Sequence, residues 1–346
     1  MYNFKMKINK NNLIHNFSYL KSLKKKEIIA VIKSNAYGHG MENIATILSQ
    51  NGCDYFAVAR LNEAKKILDL NLTNIKVLVF ESVLVDEYVK STIDLELSVN
   101  NYKDLTRYLE SGISPSRLHI KLELGFSRNG ISVDSLATIK TLIGSGINFK
   151  GIYTHIFAAT YEDIKDIENT FSKVIYNLGN KNFSIIHLQN SSGVLSIDSH
   201  ICTHLRCGLL LYGLQEIGYF DPNLKQVFSL QGEVYGTNFI DQNKYIAYEL
   251  KNSLNLDNYK YIAKIKIGYG DGFSKRNTNS FCLINNKEFR IVEVTMDTTF
   301  IAVDSSVKEG DKATLLNDLN ILSKHLEIPH YEIISMINDR IPRVII

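Results

Sequence analysis

Short apolar runs rich in β-branched residues punctuate the first two thirds of the chain. They lie at 28–33 (IIAVIK), 55–59 (YFAVA), 76–80 (KVLVF), 94–99 (DLELSV), 118–124 (LHIKLEL), 149–155 (FKGIYTH), 184–189 (SIIHLQ) and 205–212 (LRCGLLLY). Near-continuous apolar runs of this length suit parallel strands buried on both faces. The segments between them repeat at helical spacing: 61–70 places Leu61, Ala64, Ile67 and Leu68 on one face, and 101–110, 133–143 and 166–179 behave likewise. Residues 10–25 predict a helix ahead of the first strand. Eight strands alternating with helices specify an α/β fold, a (β/α)8 TIM barrel. An open doubly wound sheet is the alternative. It is disfavoured because no G-x-G-x-x-G turn follows the first strand.

The rhythm changes after about residue 225. VFSLQGEVYGTNF, KYIAYEL, YIAKIKIGYGDG and FRIVEVTMDTTFIAV are strand-like with turn residues between them, and helical periodicity returns only at 320–337. This predicts a barrel domain over 10–225 and a mostly β C-terminal domain over 226–346, with residues 1–9 able to add a strand to the latter.

Composition narrows the function without choosing it. With 39 basic and 36 acidic residues and a net charge of +3, and no basic block beyond Lys24, Lys25 and Lys26, a nucleic-acid partner is not expected. Hydrophobic residues at 45% and charged residues at 22% suit a globular chain with a sizeable core. The N-terminus MYNFKMKINK lacks the apolar stretch of a signal peptide, and the apolar segment 75–85 is broken by Lys76 and Glu81, so no membrane span is expected. The four cysteines, Cys53, Cys202, Cys207 and Cys282, form no C-x-x-C pair; they read as reduced thiols of a cytoplasmic protein without a metal site.

In a (β/α)8 barrel the chemistry sits at the C-terminal ends of the strands. Lys33 ends the first strand, Arg128 follows the fifth, His155 ends the sixth, Asn190 and Ser191 follow the seventh, and Arg206 enters the eighth. Their convergence on one rim says more than any one of them. A lysine ending an apolar strand is desolvated, which lowers its pKa and makes the amine fit for a Schiff base; a rim lysine can equally snorkel to water. Ser191 suits a helix N-cap, Arg206 a rim salt bridge, and His155 and His187 satisfied core histidines.

The stretch AVIKSNAYGHG (30–40) resembles the alanine racemase signature AVVKANAYGHG. The resemblance continues in family order through DYFAVARLNEA (54–64), KLELGFSRNG (121–130), YTHIFAA (153–159), HLQNSSG (187–193), LRCGLLLYG (205–213), IGYGDG (267–272), VTMD (294–297) and RIPR (340–343). It implies a homodimeric enzyme with pyridoxal 5'-phosphate bound to Lys33. Tyr37, Ser191 and the backbone of Gly208 and Leu209 would hold the phosphate. Arg206 would face the pyridine nitrogen and, being unable to give up its proton, would keep that nitrogen unprotonated. Arg128 would bond the phenolic oxygen, His155 and Asn190 would support the cofactor, and His187 would orient Arg206. Lys121 occupies a position carbamylated in many members.

Racemisation requires a proton to leave one face of the substrate and return to the other. The resemblance assigns one face to Lys33 and the other to Tyr248 of a second subunit, whose Tyr269, Met296 and Asp297 would shape the substrate site. The expected activity is interconversion of L- and D-alanine, supplying D-alanine for peptidoglycan. Three departures stand out: A-Y-E around Tyr248 where the family reads S-Y-G, E-L-G-F (123–126) for D-T-G-M, and Asp339 for a tyrosine before the R-V-P-R motif. The alternatives are a broad-specificity or serine racemase, a decarboxylase of the same architecture, and a cofactor-binding protein without turnover. The decarboxylase would need an acidic residue where Arg206 stands, and the non-catalytic protein would have no use for the β domain.

Overall fold

The computed structural model describes residues 4–157, 160–215, 220–240, 245–250, 256, 259–316 and 318–346. Asn3, Ala158, Ala159 and Lys244, which fall in expected strands or quoted motifs, lie outside the described residues. The chain divides into two units, Asn11–Ala36 with Met41–Gln226, and Met1–Lys10 with Tyr37–Gly40 and Val227–Ile346.

After β1 (Phe4–Ile8), which belongs to the second unit, the first unit holds β2 (Glu27–Val31), β3 (Tyr55–Val58), β4 (Lys76–Val79), β5 (Leu95–Val99), β6 (Leu118–Glu123), β7 (Ile131–Ser132), β8 (Phe149–Tyr153), β9 (Phe183–His187) and β10 (His204–Cys207). Leaving aside the short β7, which pairs with β6, they run in the order β10-β2-β3-β4-β5-β6-β8-β9, all parallel. Thr203 N donates to Ile186 O (2.8 Å) and Arg206 N to Gln189 O (2.9 Å), joining the two ends into a nearly closed eight-stranded barrel. Complete burial of β3 accounts for its lack of polar alternation, whereas β5 is equally buried yet carries Glu96 and Ser98 on one face.

Several boundaries differ from the sequence expectation for local reasons. The first strand stops at Val31 and the sixth at Tyr153, leaving Lys33 and His155 just past the strand ends. The expected strand 205–212 ends at Cys207: Gly208 (φ −118, ψ −88) leaves the extended path, and Leu209–Tyr212 forms a buried 3-10 turn. An apolar run reports burial, which both conformations satisfy. The helix expected over 166–179 begins at Tyr161, where Thr160 Oγ1 accepts from Asp163 N (3.2 Å) and acidic residues fill the first turn.

The second unit adds β11 (Phe228–Phe239), β12 (Tyr245–Ile246), β13 (Glu249–Leu250), β14 (Tyr261–Ile265), β15 (Phe281–Ile284), β16 (Lys287–Val294), β17 (Thr299–Val303), β18 (Lys312–Leu316) and β19 (Arg343–Ile345). Its main sheet runs β14-β17-β16-β15-β18-β11-β1-β19, antiparallel except for β1 with β19. β11 pairs with both β18 and β14, so its twelve residues close a ring of strands. β12 and β13 form a separate hairpin. The two short helices Leu319–Leu326 and His330–Ser335 follow β18.

Inward positions of the barrel are tightly fitted. A Cβ on Gly151 would run into His119 Nδ1 and lie 2.8 Å from Ile185 O. Gly151→Ala is therefore expected to lower the unfolding free energy by roughly 1–3 kcal/mol, measured by urea denaturation.

Burial also decides protonation here. It holds His187 well below its ordinary value of 6.5, with Arg206 adding to the effect, and lowers His204 to about 4. Both rings stay neutral in the folded barrel, whereas in the unfolded chain they titrate near about 6.5. Below that pH the unfolded chain takes up protons that the folded chain refuses. Stability is thus fully present above about 6.5 and falls with pH, by up to about 1.4 kcal/mol per unit for each ring. Urea midpoints measured between pH 7.5 and 5 should fall less steeply for His204→Gln than for wild type. Equal slopes would show that His204 is not held neutral.

Candidate active site

Lys33 leaves the barrel on an unusual backbone. Ser34, Asn35, Ala36 and Tyr37 have φ of 53, 54, 54 and 52, a left-handed turn made without glycine. For L-residues each such step costs roughly 1–2 kcal/mol. Its surroundings hold it in place. Glu63 Oε1 accepts from Ser34 N (2.6 Å), and Glu63 Oε2 accepts from Ala59 N (2.9 Å) and Arg60 N (3.0 Å). Asn35 Oδ1 accepts from Met41 N (2.8 Å), and Ala36 is fully buried. Glu63 therefore caps its own helix and also fixes the turn that follows Lys33. The amine itself is lowered below the usual lysine range by burial and then by Arg128, with Glu63 and Glu81 acting against them. A larger neutral fraction makes it a better nucleophile.

Arg206 lies inside the barrel, 4% exposed. Its Nη1 donates to His187 O (2.6 Å) and Nδ1 (3.1 Å), and its Nη2 donates to Thr154 O (2.7 Å) and Leu188 O (3.2 Å). The guanidinium lies 5.0 Å from the centre of the Tyr153 ring, which stacks on His187 at 4.6 Å. Burial lowers Arg206 to about 10, still a cation at neutral pH. Among the described residues no carboxylate forms an ion pair with it.

The loop after β6 carries Arg128. Glu123 Oε1 accepts from Gly125 N (2.7 Å) and Ser127 N (2.9 Å). Gly130, at φ +139, sits where a Cβ would lie 2.6 Å from Glu123 N, so the loop closes only with glycine there. Arg128 stacks over Phe126 at 4.5 Å, and the Phe126 ring packs on Phe157 at 5.5 Å and beside His155 at 5.3 Å. Phe126 is the residue that replaces methionine in the departure E-L-G-F. Lys121 Nζ donates to Asn129 Oδ1. Burial lowers Lys121 to about 8, with Arg128, Arg206 and Lys33 adding to the effect and Glu123 opposing it. Burial and the cations Arg206, Arg128, Lys121 and Lys33 together hold His155 at about 3. The barrel unit thus brings Lys33, Lys121, Arg128, His155 and Arg206 into one field, strongly positive and partly dry. Such a field favours an anionic ligand.

Beside them, Asn190 is the N-cap of the helix Ser191–Ser196. Its Oδ1 accepts from Gly193 N (3.1 Å), and its Nδ2 donates to Ile156 O (3.0 Å). The cap is therefore Asn190, not Ser191, which is the first helical residue. Gly208 and Leu209 open the 3-10 turn after β10. The remaining sequence candidates lie in the second unit. Tyr37 O accepts from His39 Nδ1 (3.1 Å). Tyr248 is 76% exposed at the tip of the β12–β13 hairpin, next to Ala247 at φ 55. Tyr269 and Met296 are exposed, and Met296 O accepts from Gly270 N (2.8 Å). Asp297 Oδ1 accepts from Arg340 Nη2 (2.7 Å), and Arg340 Nε also lies 3.3 Å from Asp271. Asp339 is exposed, 3.7 Å from Arg343.

Sequence motifs do not single out Glu63, Tyr153 or Asn129, nor the buried Glu96 and His119 beneath them. One signal was available. Glu96 and Ser98, and His119 and Lys121, each recur at a spacing of two within apolar strands, so each pair shares a face.

The family model described as alanine racemase, N-terminal domain, matches residues 8–216, and the one described as alanine racemase, C-terminal domain, matches 227–345. The chain is 29% identical over 360 residues to an alanine racemase of Fusobacterium nucleatum subsp. nucleatum, covering 99% of both chains. It is 31% identical over 347 residues to one of Methanococcus maripaludis, covering 92% of both. In fold it is similar to the alanine racemase of E. faecalis, with TM-score 0.86 at 23% identity over 100% of this chain and 98% of that one. It is equally similar to the alanine racemase of Bartonella henselae with covalently bound pyridoxal phosphate, with TM-score 0.86 at 21% identity over the whole of both chains. With family models covering most of both its units, the chain belongs to the alanine racemase family of enzymes.

Proposed function

We propose that this chain interconverts L- and D-alanine by a two-base mechanism, using pyridoxal 5'-phosphate held covalently on Lys33. The observation that carries this is the half-buried Lys33 just past the end of β2, its amine lowered below the usual lysine range by burial and Arg128, in a positive field that includes Arg206, Arg128 and Lys121. The donor set fits the cofactor. An amine is available for its aldehyde, cations are available for its phosphate and phenolic oxygens, and a guanidinium that only donates suits an unprotonated ring nitrogen. When bound, the cofactor supplies an electron sink that makes the α-proton of the amino acid removable.

The remaining roles belong to the chain. Lys33 Nζ holds the cofactor, then takes or returns the proton on one face. Arg206, pinned to three carbonyls and to His187, would face the ring nitrogen without transferring a proton to it. Tyr37, Ser191 and the backbone of Gly208 and Leu209 would hold the phosphate, with Asn190 and His155 bracing the ring. Arg128, backed by Phe126, would bond the phenolic oxygen and orient the substrate carboxylate. Lys121 at about 8 has enough neutral amine to take up carbon dioxide, which would give Arg128 an anionic neighbour.

Tyr248 of the partner subunit would serve the opposite face, and the partner's Tyr269, Met296 and Asp297 would shape access to it. The exposure of Tyr248 on a hairpin tip leaves its hydroxyl accessible for that role. A homodimer with shared sites follows from this division of labour. No helix among the described residues is long and apolar enough to cross a membrane. A cytoplasmic enzyme supplying D-alanine for peptidoglycan is the setting we propose. Arg206 in place of a carboxylate argues against the decarboxylase.

Purified protein loaded with pyridoxal phosphate is expected to form D-alanine from L-alanine in a chiral assay run alongside L-serine and L-lysine. Borohydride should abolish activity and leave the reduced cofactor on the peptide containing Lys33. Carbon dioxide release from L-lysine without any D-alanine would overturn the assignment. Tyr248→Phe should keep the cofactor absorption band and lose about 10²–10⁴-fold in racemisation. Undiminished turnover in that variant would remove Tyr248 as the second base.

A further inference from the structure

Beneath the proposed site, four buried side chains form a continuous line through the barrel. Arg206 Nη1 lies 3.1 Å from His187 Nδ1. His187 Nε2 lies 3.1 Å from His119 Nδ1, and His119 Nε2 lies 2.7 Å from Glu96 Oε2. His119 and His187 are 0% exposed, and Arg206 and Glu96 are each 4% exposed. Tyr55 Oη donates to the same Glu96 oxygen and lies 3.1 Å from His119 Nε2. Lys150 Nζ is 3.5 Å from Glu96 Oε1.

The chemistry of the first member sets the direction of every bond that follows. A guanidinium donates and never accepts. His187 Nδ1 must therefore present a lone pair, which places the ring proton on Nε2. That proton points at His119 Nδ1, which must in turn be a lone pair. The His119 proton then sits on Nε2 and points at the carboxylate. A doubly protonated His119 would force His187 to turn an N–H toward the guanidinium, leaving two donors face to face. Only one arrangement satisfies all the contacts, and it runs from a cation that lacks a carboxylate partner among the described residues to an anion two imidazoles away.

We infer that Glu96 is a positioning residue: the remote counter-charge that, through His119 and His187 locked as Nε2–H tautomers, fixes the orientation and charge of Arg206. The carboxylate is itself kept ionised. Burial works against its charge, but the hydrogen bonds from His119 Nε2–H and the Tyr55 hydroxyl, with Lys150 nearby, outweigh it and leave the group below the usual carboxylate range. Gly151 makes the room: any side chain there would displace His119 from the line. The part of the inference that concerns the cofactor rests on the reading of Arg206 as the partner of the ring nitrogen. The tautomer line does not.

Both parts are tested by ¹⁵N-histidine NMR on the wild-type protein, with and without pyridoxal phosphate, and by visible absorption and steady-state kinetics of Glu96→Gln and Glu96→Asp. Wild type should show His119 and His187 each protonated on Nε2 alone, whether or not the cofactor is bound. Glu96→Gln should disturb the His119 and His187 signals, shift the visible band of the loaded protein and lower kcat by about 10-fold or more, the scale typical of remote partners of a site ligand. Glu96→Asp, which keeps the charge, should recover much of the band position and rate. An Nδ1–H form of either ring in wild type overturns the line, even if Glu96→Gln fails to fold. A folded Glu96→Gln protein with wild-type band and kcat would show that Glu96 is only a core carboxylate. Failure of wild type to racemise alanine would defeat the functional reading instead, and would leave the NMR test intact.

Discussion

Arg206 places a permanent cation inside the barrel, and an ion without compensation there costs several kcal/mol even after relaxation. The guanidinium is the cation best suited to such a position, because it is weakly hydrated and spreads its donors over a planar fork. Here the fork takes the carbonyls of Thr154, His187 and Leu188, which lie at and just beyond the ends of β8 and β9. This is also where the barrel is least complete, because β9 and β10 share no regular ladder. Thr203 bonds Ile186 at the base of that junction through both its amide and its hydroxyl. Arg206 bonds Gln189, His187 and Leu188 at its top. The residue that supplies the charge at the centre of the proposed site therefore also fastens the barrel shut.

The other cations follow from that placement. Lys33 and Lys121 share the rim with Arg128 and Arg206, and Lys33, Lys121 and Arg206 are kept from full hydration there by burial. The outcome is graded by chemistry. Arg206 at about 10 remains charged, Lys121 is lowered to about 8, Lys33 is lowered in the same direction, and His155 is driven to about 3. Stability is given up for this, as it is in the left-handed turn from Ser34 to Tyr37. Both costs fall at the same rim, and both are met by groups outside the proposed reaction: Glu63 behind the turn and Phe126 behind Arg128.

The barrel was legible because its strands are buried on both faces and its helices are not, so the alternation of patterns is strong. The rim residues were legible only as a group: each alone suits a snorkelling lysine, a salt bridge or a core histidine, and their convergence at the strand ends together with the motif resemblance set them apart. What the sequence could not show was pairing across strands. Glu96 and His119 each look like an isolated polar residue in an apolar strand. Register alone brings them together, through Ser98 opposite His119 and His119 opposite Gly151. The turn after Lys33 was hidden as well. Of its four left-handed residues only Asn35 belongs to a type that tolerates φ near +54, so propensity gives no warning.

The same contrast holds at the hairpin that presents Tyr248. Its two-residue tip begins with Ala247 at φ 55, a place where turn chemistry calls for glycine. A methyl group in that conformation costs roughly 1 kcal/mol and gains nothing for the fold. It does restrict the backbone immediately before the tyrosine, because alanine has far fewer accessible conformations than glycine. An exposed side chain gains little fixation from packing, so its direction has to come from the main chain beneath it. A fixed left-handed step directly before the ring is one way to direct an exposed hydroxyl, as the role proposed for Tyr248 requires, without enclosing it within its own chain.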